Sequence, residues 1–107
     1  MEKTPLLNII GYTIENRIVD FLIEGKGIEY TKTDIARGSG IARPTLYKAW
    51  PILIKEGIVR CTKTIGKIKL YTLNEKSEKV QMLLKLEEML LKKSFEEAEG
   101  LKIKARS

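Results

Sequence analysis

The sequence predicts a mainly α-helical domain with one small β-hairpin, an α+β class chain ending in a long helix. Apolar residues recur at three- and four-residue spacing in several separate blocks, as on helices with one buried face. Residues 59–65 and 68–73 are rich in β-branched and aromatic residues and flank Gly66-Lys67, which reads as a hairpin with a tight turn. Between these signals lies TKTDIARGSGIARPTLYKAWPILIKEGIV, residues 31–59, which reads as two short helices around a tight turn.

Taken in order, Thr4-Pro5 caps a short helix through Leu6, Leu7, Ile9 and Ile10 that stops at Gly11, proline being suited to a first helical turn. An extended arm is the alternative for this stretch. Thr13 caps a firmer helix whose buried stripe is Ile14, Ile18, Phe21 and Leu22, with Gly25 as its stop. Glu29-Tyr30 reads as a short strand, and Thr31 with Asp34 as a capping box for the next helix.

In that helix Ile35 and Ala36 share a face, Gly40 supplies the turn, and Ile41 anchors it. Leu46, Ala49, Trp50 and Leu53 then bury one face of the following helix, which leaves Arg43, Thr45, Tyr47 and Lys48 outward. Those side chains offer charge and hydrogen-bond donors of the kinds that read major-groove edges and phosphates. Pro44 is tolerated in the first turn, whereas Pro51 removes a backbone bond and predicts a kink near Trp50. Trp50 itself is expected in the core.

Lys63, Lys67 and Lys69 on the hairpin are spaced to follow a phosphate backbone, while Tyr71 and Leu73 alternate inward. Cys61 is expected as a small buried hydrophobe. Asn74 caps a last long helix in which Val80, Leu83, Leu84, Leu86, Leu90, Leu91 and Phe95 form an arc too wide for one small core, so a partner helix is expected there. Its carboxylates Glu87, Glu88, Glu96 and Glu97 read as solvating charges. The end, LKIKARS, reads as a basic frayed tail.

The pattern from Lys32 to Pro51 resembles the helix-turn-helix: Ala36 falls on its small position, Gly40 on its turn glycine, and Ile35, Ile41 and Leu46 on its apolar positions. Ser39 and Ala49 are smaller or more polar than that pattern usually has. The continuation through Leu53, Gly57, Ile58 and Val59 into Lys67, Leu70, Tyr71 and Leu73 resembles the winged-helix regulators of the MarR and ArsR type, notably archaeal ones, over residues 13–74. The resemblance implies a winged helix-turn-helix DNA-binding domain over 1–74, a C-terminal dimerisation helix over 75–100, and a basic tail over 101–107. It also implies a sequence-specific regulator of double-stranded DNA, a homodimer on an inverted-repeat operator. Its DNA-binding residues would be Lys32, Arg43, Pro44, Thr45, Tyr47, Lys48, Lys63, Lys67 and Lys69.

Charge agrees with a polyanionic partner. Of the formal net charge of +6, residues 32–69 hold 9 basic and 2 acidic groups, while the flanks are near balance. Neutralising phosphates with such a patch releases counterions and supplies sequence-independent affinity. At 107 residues one small domain is expected, and dimerisation would help its stability.

With one cysteine and no histidine, an internal disulfide and the usual zinc or copper ligand sets are excluded within one chain. Arg37-Gly38-Ser39-Gly40 matches neither a phosphate-loop nor a nucleophile-elbow spacing, so no enzyme and no cofactor are expected. There is no apolar run of about 18 residues and no secretory pattern at the start, so the expected location is the cytoplasm, with no membrane partner. Abundant Ile, Lys and Glu beside a lone Gln81 are a compositional sign of a thermophile. Two other classes remain open from sequence: an architectural or partition-type protein that coats DNA, and a winged-helix protein-interaction subunit.

Overall fold

In the computed structural model, which describes residues 4–106 and their side chains as far as residue 100, seven elements follow one another. They are α1 (Pro5–Ile10), α2 (Ile14–Glu24), α3 (Lys32–Ser39), α4 (Arg43–Lys55), β1 (Val59–Ile65), β2 (Ile68–Leu73) and α5 (Glu78–Arg106). The mainly α arrangement with one antiparallel hairpin is the class expected from sequence.

Threonine begins each of the first three helices. Thr4 and Thr13 accept hydrogen bonds from the Leu7 and Asn16 amides, and Thr31 with Asp34 closes a reciprocal capping box, so orphan amides at each start are satisfied locally. The N-terminal stretch is therefore a helix and not an extended arm, and it packs against α2 and α5 with Leu6 and Leu7 buried. Its end is held by Asn16, whose amide Nδ2 donates to the Ile10 and Gly11 carbonyls. Gly40 ends α3 in the left-handed conformation (φ 69°, ψ 35°), with the Ile41 amide donating back to the Ala36 carbonyl, and so makes the turn into α4.

One apolar core joins all of these elements. Ile18 and Leu22 of α2, Ile35 of α3, Leu46 and Leu53 of α4, Leu73 of β2 and Val80 of α5 are each at most 2% exposed. Burying a side chain of this size contributes about 1.5–3 kcal/mol. Trp50 packs edge-on against Tyr71, ring centres 4.9 Å apart, and lies in the core as expected. Tyr30 and Tyr71 exchange a pair of 2.7 Å backbone hydrogen bonds, which pins the segment before α3 to the hairpin.

Four expectations are corrected. Asn74 does not cap α5: its side chain donates to the Gly57 carbonyl, and the Val80 amide instead points to the Ser77 hydroxyl at 3.5 Å, so the helix starts at Glu78. Cys61 is exposed, although it pairs with buried Tyr71 in the same unbroken register as Val59 with Leu73; the bulge between Cys61 and Lys63 follows it and ends that alternation. Val80 belongs to its own chain's core, and Leu83, Leu84, Leu86 and Leu90 are half-buried against that core, so much of the apolar arc faces the head of the same molecule. The helix also runs past Gly100 through Arg106 where a frayed tail was expected; the tail's side chains and Ser107 lie outside the described residues.

From Leu91 to Gly100 every residue of α5 is exposed, Leu91 and Phe95 among them, so the distal helix extends beyond the head and draws the long axis out to 62 Å against 27 and 21 Å.

Candidate nucleic-acid interface

The start of α3, the start of α4 and the hairpin converge on one open cleft of about 400 Å³. Lys32, Thr33 and Arg43 line it from the helices, and Lys67, Lys69 and Tyr71 from the hairpin. Four cationic side chains thus face a common space, and among the described residues no carboxylate lines it. On α4, Arg43, Pro44, Tyr47 and Lys48 are exposed and Thr45 is half-buried, because Leu46, Ala49, Trp50 and Leu53 take the opposite face into the core. The first turn of α4 begins at Ala42, which offers no side-chain cap, so the positive end of the helix dipole is left to whatever approaches.

Lys32 is held in a way the sequence did not announce. Its ammonium lies over three aromatic rings, 5.3 Å from the centre of Trp50, 5.6 Å from Tyr47 and 5.7 Å from Tyr71. Since the rings come from α4 and β2, the lysine clips α3 to both. Arg43 in turn donates to the Tyr47 hydroxyl at 3.2 Å, one helical turn along. The side chains proposed as readers are therefore partly organised by one another.

The three hairpin lysines do not lie on one face. Lys63 pairs across from Leu70, Lys69 across from Thr64, and Lys67 sits in the turn, so Lys63 and Lys69 project from opposite faces. Lys63 also lies 3.6 Å from the Glu29 carboxylate. The carboxyl of Glu29 is held below its usual range, chiefly by the Thr62 hydroxyl and then by Lys63. Of the nine residues named from sequence, Lys32, Arg43, Lys67 and Lys69 share the cleft, Pro44, Thr45, Tyr47 and Lys48 continue along α4, and Lys63 stands apart.

The structure adds two features away from the cleft. Arg17 of α2 donates from Nη2 to the Ser39 and Gly40 carbonyls at 3.1 and 2.9 Å, closing the C-terminus of α3 at the turn. Where α1, α2 and α5 meet, Asp20, Glu24 and Glu87 line a cavity of about 80 Å³. Asp20 accepts from the Thr4 hydroxyl at 2.9 Å, yet its Oδ2 and the Oε2 of Glu87 are buried with no hydrogen-bond partner among the described residues. Burial, above all, raises the pKa of all three carboxyls, with like charge from Asp20 raising Glu24 and Glu87 further. Glu87 is thus no solvating charge. Helical spacing on a Lys-rich segment hid this, because the facing carboxylates come from α2.

A helix-turn-helix followed by a two-stranded hairpin packed on its core settles the architecture. The fold is the winged helix. It is shared with ZitR of Lactococcus lactis (a C30AH42A mutant), to which the chain is 19% identical with TM-score 0.60, covering 90% of this chain and 64% of that one. NadR, solved in complex with 4-hydroxyphenylacetate, is 25% identical with TM-score 0.62, over 94% of this chain and 72% of that one. MepR, a transcription regulator of the Staphylococcus aureus multidrug efflux pump MepA, is 14% identical with TM-score 0.62, over 94% of this chain and 78% of that one. These neighbours are MarR-type winged-helix transcriptional regulators, the type the sequence resembles. The winged-helix chain described here spans less than two thirds of the ZitR chain. No family model matches the sequence, and no curated protein sequence does.

Proposed function

We propose that this winged-helix protein is a sequence-specific regulator of transcription that binds double-stranded DNA as a homodimer, with α4 in the major groove, the wing on the flanking backbone and α5 forming the dimer. The observation that carries the reading is the cationic cleft: Lys32, Arg43, Lys67 and Lys69 converge beside the exposed face of a helix whose other face is locked in the core. An exposed helix face beside a cationic hairpin supports groove contact by the helix and phosphate contact by the hairpin. Leu91 and Phe95, exposed on the distal part of α5, supply an apolar surface for the second copy.

Selection of bound sequences from a random duplex pool tests the reading. A regulator enriches one inverted repeat and prefers it over random duplex by roughly 10³-fold or more. Cooperative binding without enrichment makes the protein a coating protein instead, and absence of duplex binding makes it an interaction subunit.

A further inference from the structure

The tip of the wing changes chemistry. Ile65 and Ile68 stand directly opposite each other on either side of the Gly66-Lys67 turn, so their side chains lie next to one another on one face of the hairpin. They are 63% and 56% exposed, and neither belongs to the core. Gly66 has a φ of 63°, which permits a two-residue turn and keeps the pair at the extreme end of the hairpin. Strand propensity alone does not ask for this arrangement, since threonine is also β-branched and suits an exposed strand end. A lone exposed isoleucine is ordinary, whereas two side by side at a projecting tip form an unpartnered apolar point.

Charge identifies the occupant. Lys67 lies between the two isoleucines in sequence, Lys69 follows, and Ile68 itself lines the mouth of the cleft that also holds Lys32 and Arg43. An apolar point set among cations fits a surface whose outside is anionic and whose interior is apolar. Stacked base pairs behind a phosphate backbone are such a surface.

We infer that Ile65 and Ile68 form a wedge that enters the minor groove beside the site read by α4 and partly unstacks one base step there. The inference rests on the proposed DNA-binding function. Aliphatic side chains driven between base steps kink duplexes toward the major groove, and the lysines neutralise the phosphates that such a bend draws together. The wedge also contributes specificity without hydrogen bonds. Pyrimidine–purine steps unstack most readily, so the preferred site carries a TA or CA/TG step under each wing, outside the bases facing α4.

The test uses the full chain on its selected duplex, with 2-aminopurine placed at the flanking step and donor and acceptor dyes at the duplex ends. The wild-type chain raises 2-aminopurine emission and shortens the end-to-end distance. An I65T/I68T variant, which retains β-branching and whose melting curve reports an intact fold, loses both signals and binds about tenfold more weakly, with an unchanged salt slope. Lys67→Ala does the reverse: the salt slope falls by roughly 0.9 in magnitude while the unstacking signal persists. Full unstacking and bending by I65T/I68T, or a straight and stacked duplex under the wild-type chain, overturns the wedge and leaves the DNA-binding function standing. Absence of wild-type binding to any duplex overturns both, and capture of anionic vesicles by the wild-type chain but not by I65T/I68T reassigns the tip to a lipid surface.

Discussion

The Lys32 ammonium sits 5.3 Å above the centre of the Trp50 ring, so a residue expected to meet DNA also ties three elements of its own chain together. A cation over aromatic faces is worth about 0.5–2 kcal/mol according to its exposure, and Lys32 is half-buried. Lys32→Met retains the aliphatic stem and removes the charge, and should lower stability to urea by about 1 kcal/mol. Trp50 is the only tryptophan, so its emission should shift as well, while Lys32→Arg leaves both near wild type. Identical spectra for wild type and Lys32→Met would remove the clip.

Gly38 lies inside α3 against Phe21, and a Cβ placed there would come within 2.1 Å of the ring. Alanine in a helix interior normally stabilises by about 0.5–1 kcal/mol relative to glycine. The contact should reverse that sign, Gly38→Ala costing about 1–3 kcal/mol as an overpacked core does. Adding Phe21→Ala should recover part of the loss, a non-additivity that a double-mutant cycle on urea midpoints will show. Simple additivity of the two substitutions would place the ring elsewhere.

The carboxyls of Asp20, Glu24 and Glu87 are raised, first by burial. The folded chain therefore holds these protons more tightly than the unfolded chain. Their contribution is most favourable below the ordinary carboxylate range and declines as pH rises through the raised folded-state values. Thermal stability should accordingly fall between mildly acidic and neutral pH. Asp20→Asn should flatten that decline and raise the melting temperature at neutral pH. Glu29, held low at the surface, works with the opposite sign, so the difference between wild type and Asp20→Asn is the quantity to plot. An equally steep decline in the variant would acquit Asp20.

Because Leu83 and Leu90 pack on their own head, the seam of the proposed dimer is better probed further along, at Leu91 and Phe95, which are 54% and 69% exposed. Replacing both by lysine should yield monomers with unchanged helical content, measured by sedimentation equilibrium and circular dichroism, and should abolish tight binding to an inverted repeat. Wild-type monomers at micromolar concentration would end the homodimer reading.

Local signals made most of the fold legible. Thr4, Thr13 and Thr31 each cap the helix they were read to cap, Gly40 makes the turn, and the stripe from Leu46 to Leu53 is buried. What escaped depends on neighbours distant in sequence. Period-two alternation from Val59 assigns Cys61, Lys63 and Ile65 to one face, and a bulge that no residue type advertises breaks that parity at Thr62. Helical spacing located the wide arc of α5 but could not divide it between its own head and a partner, because α1 covers part of it. The cleft was legible as a cluster of charge. Its internal order was not, since Lys32 finds its rings on α4 and β2.

The overhang of α5 gives sequence length a meaning of its own. The helix spans 29 residues, about 43 Å at 1.5 Å per residue. One residue inserted just before Leu91 would turn the exposed Leu91 and Phe95 by about 100° relative to the head, whereas seven would bring them back to within about 20° and move them about 10 Å farther out. Tolerance to insertions in this segment should therefore be periodic, following the helical phase more closely than the identity of the residues added.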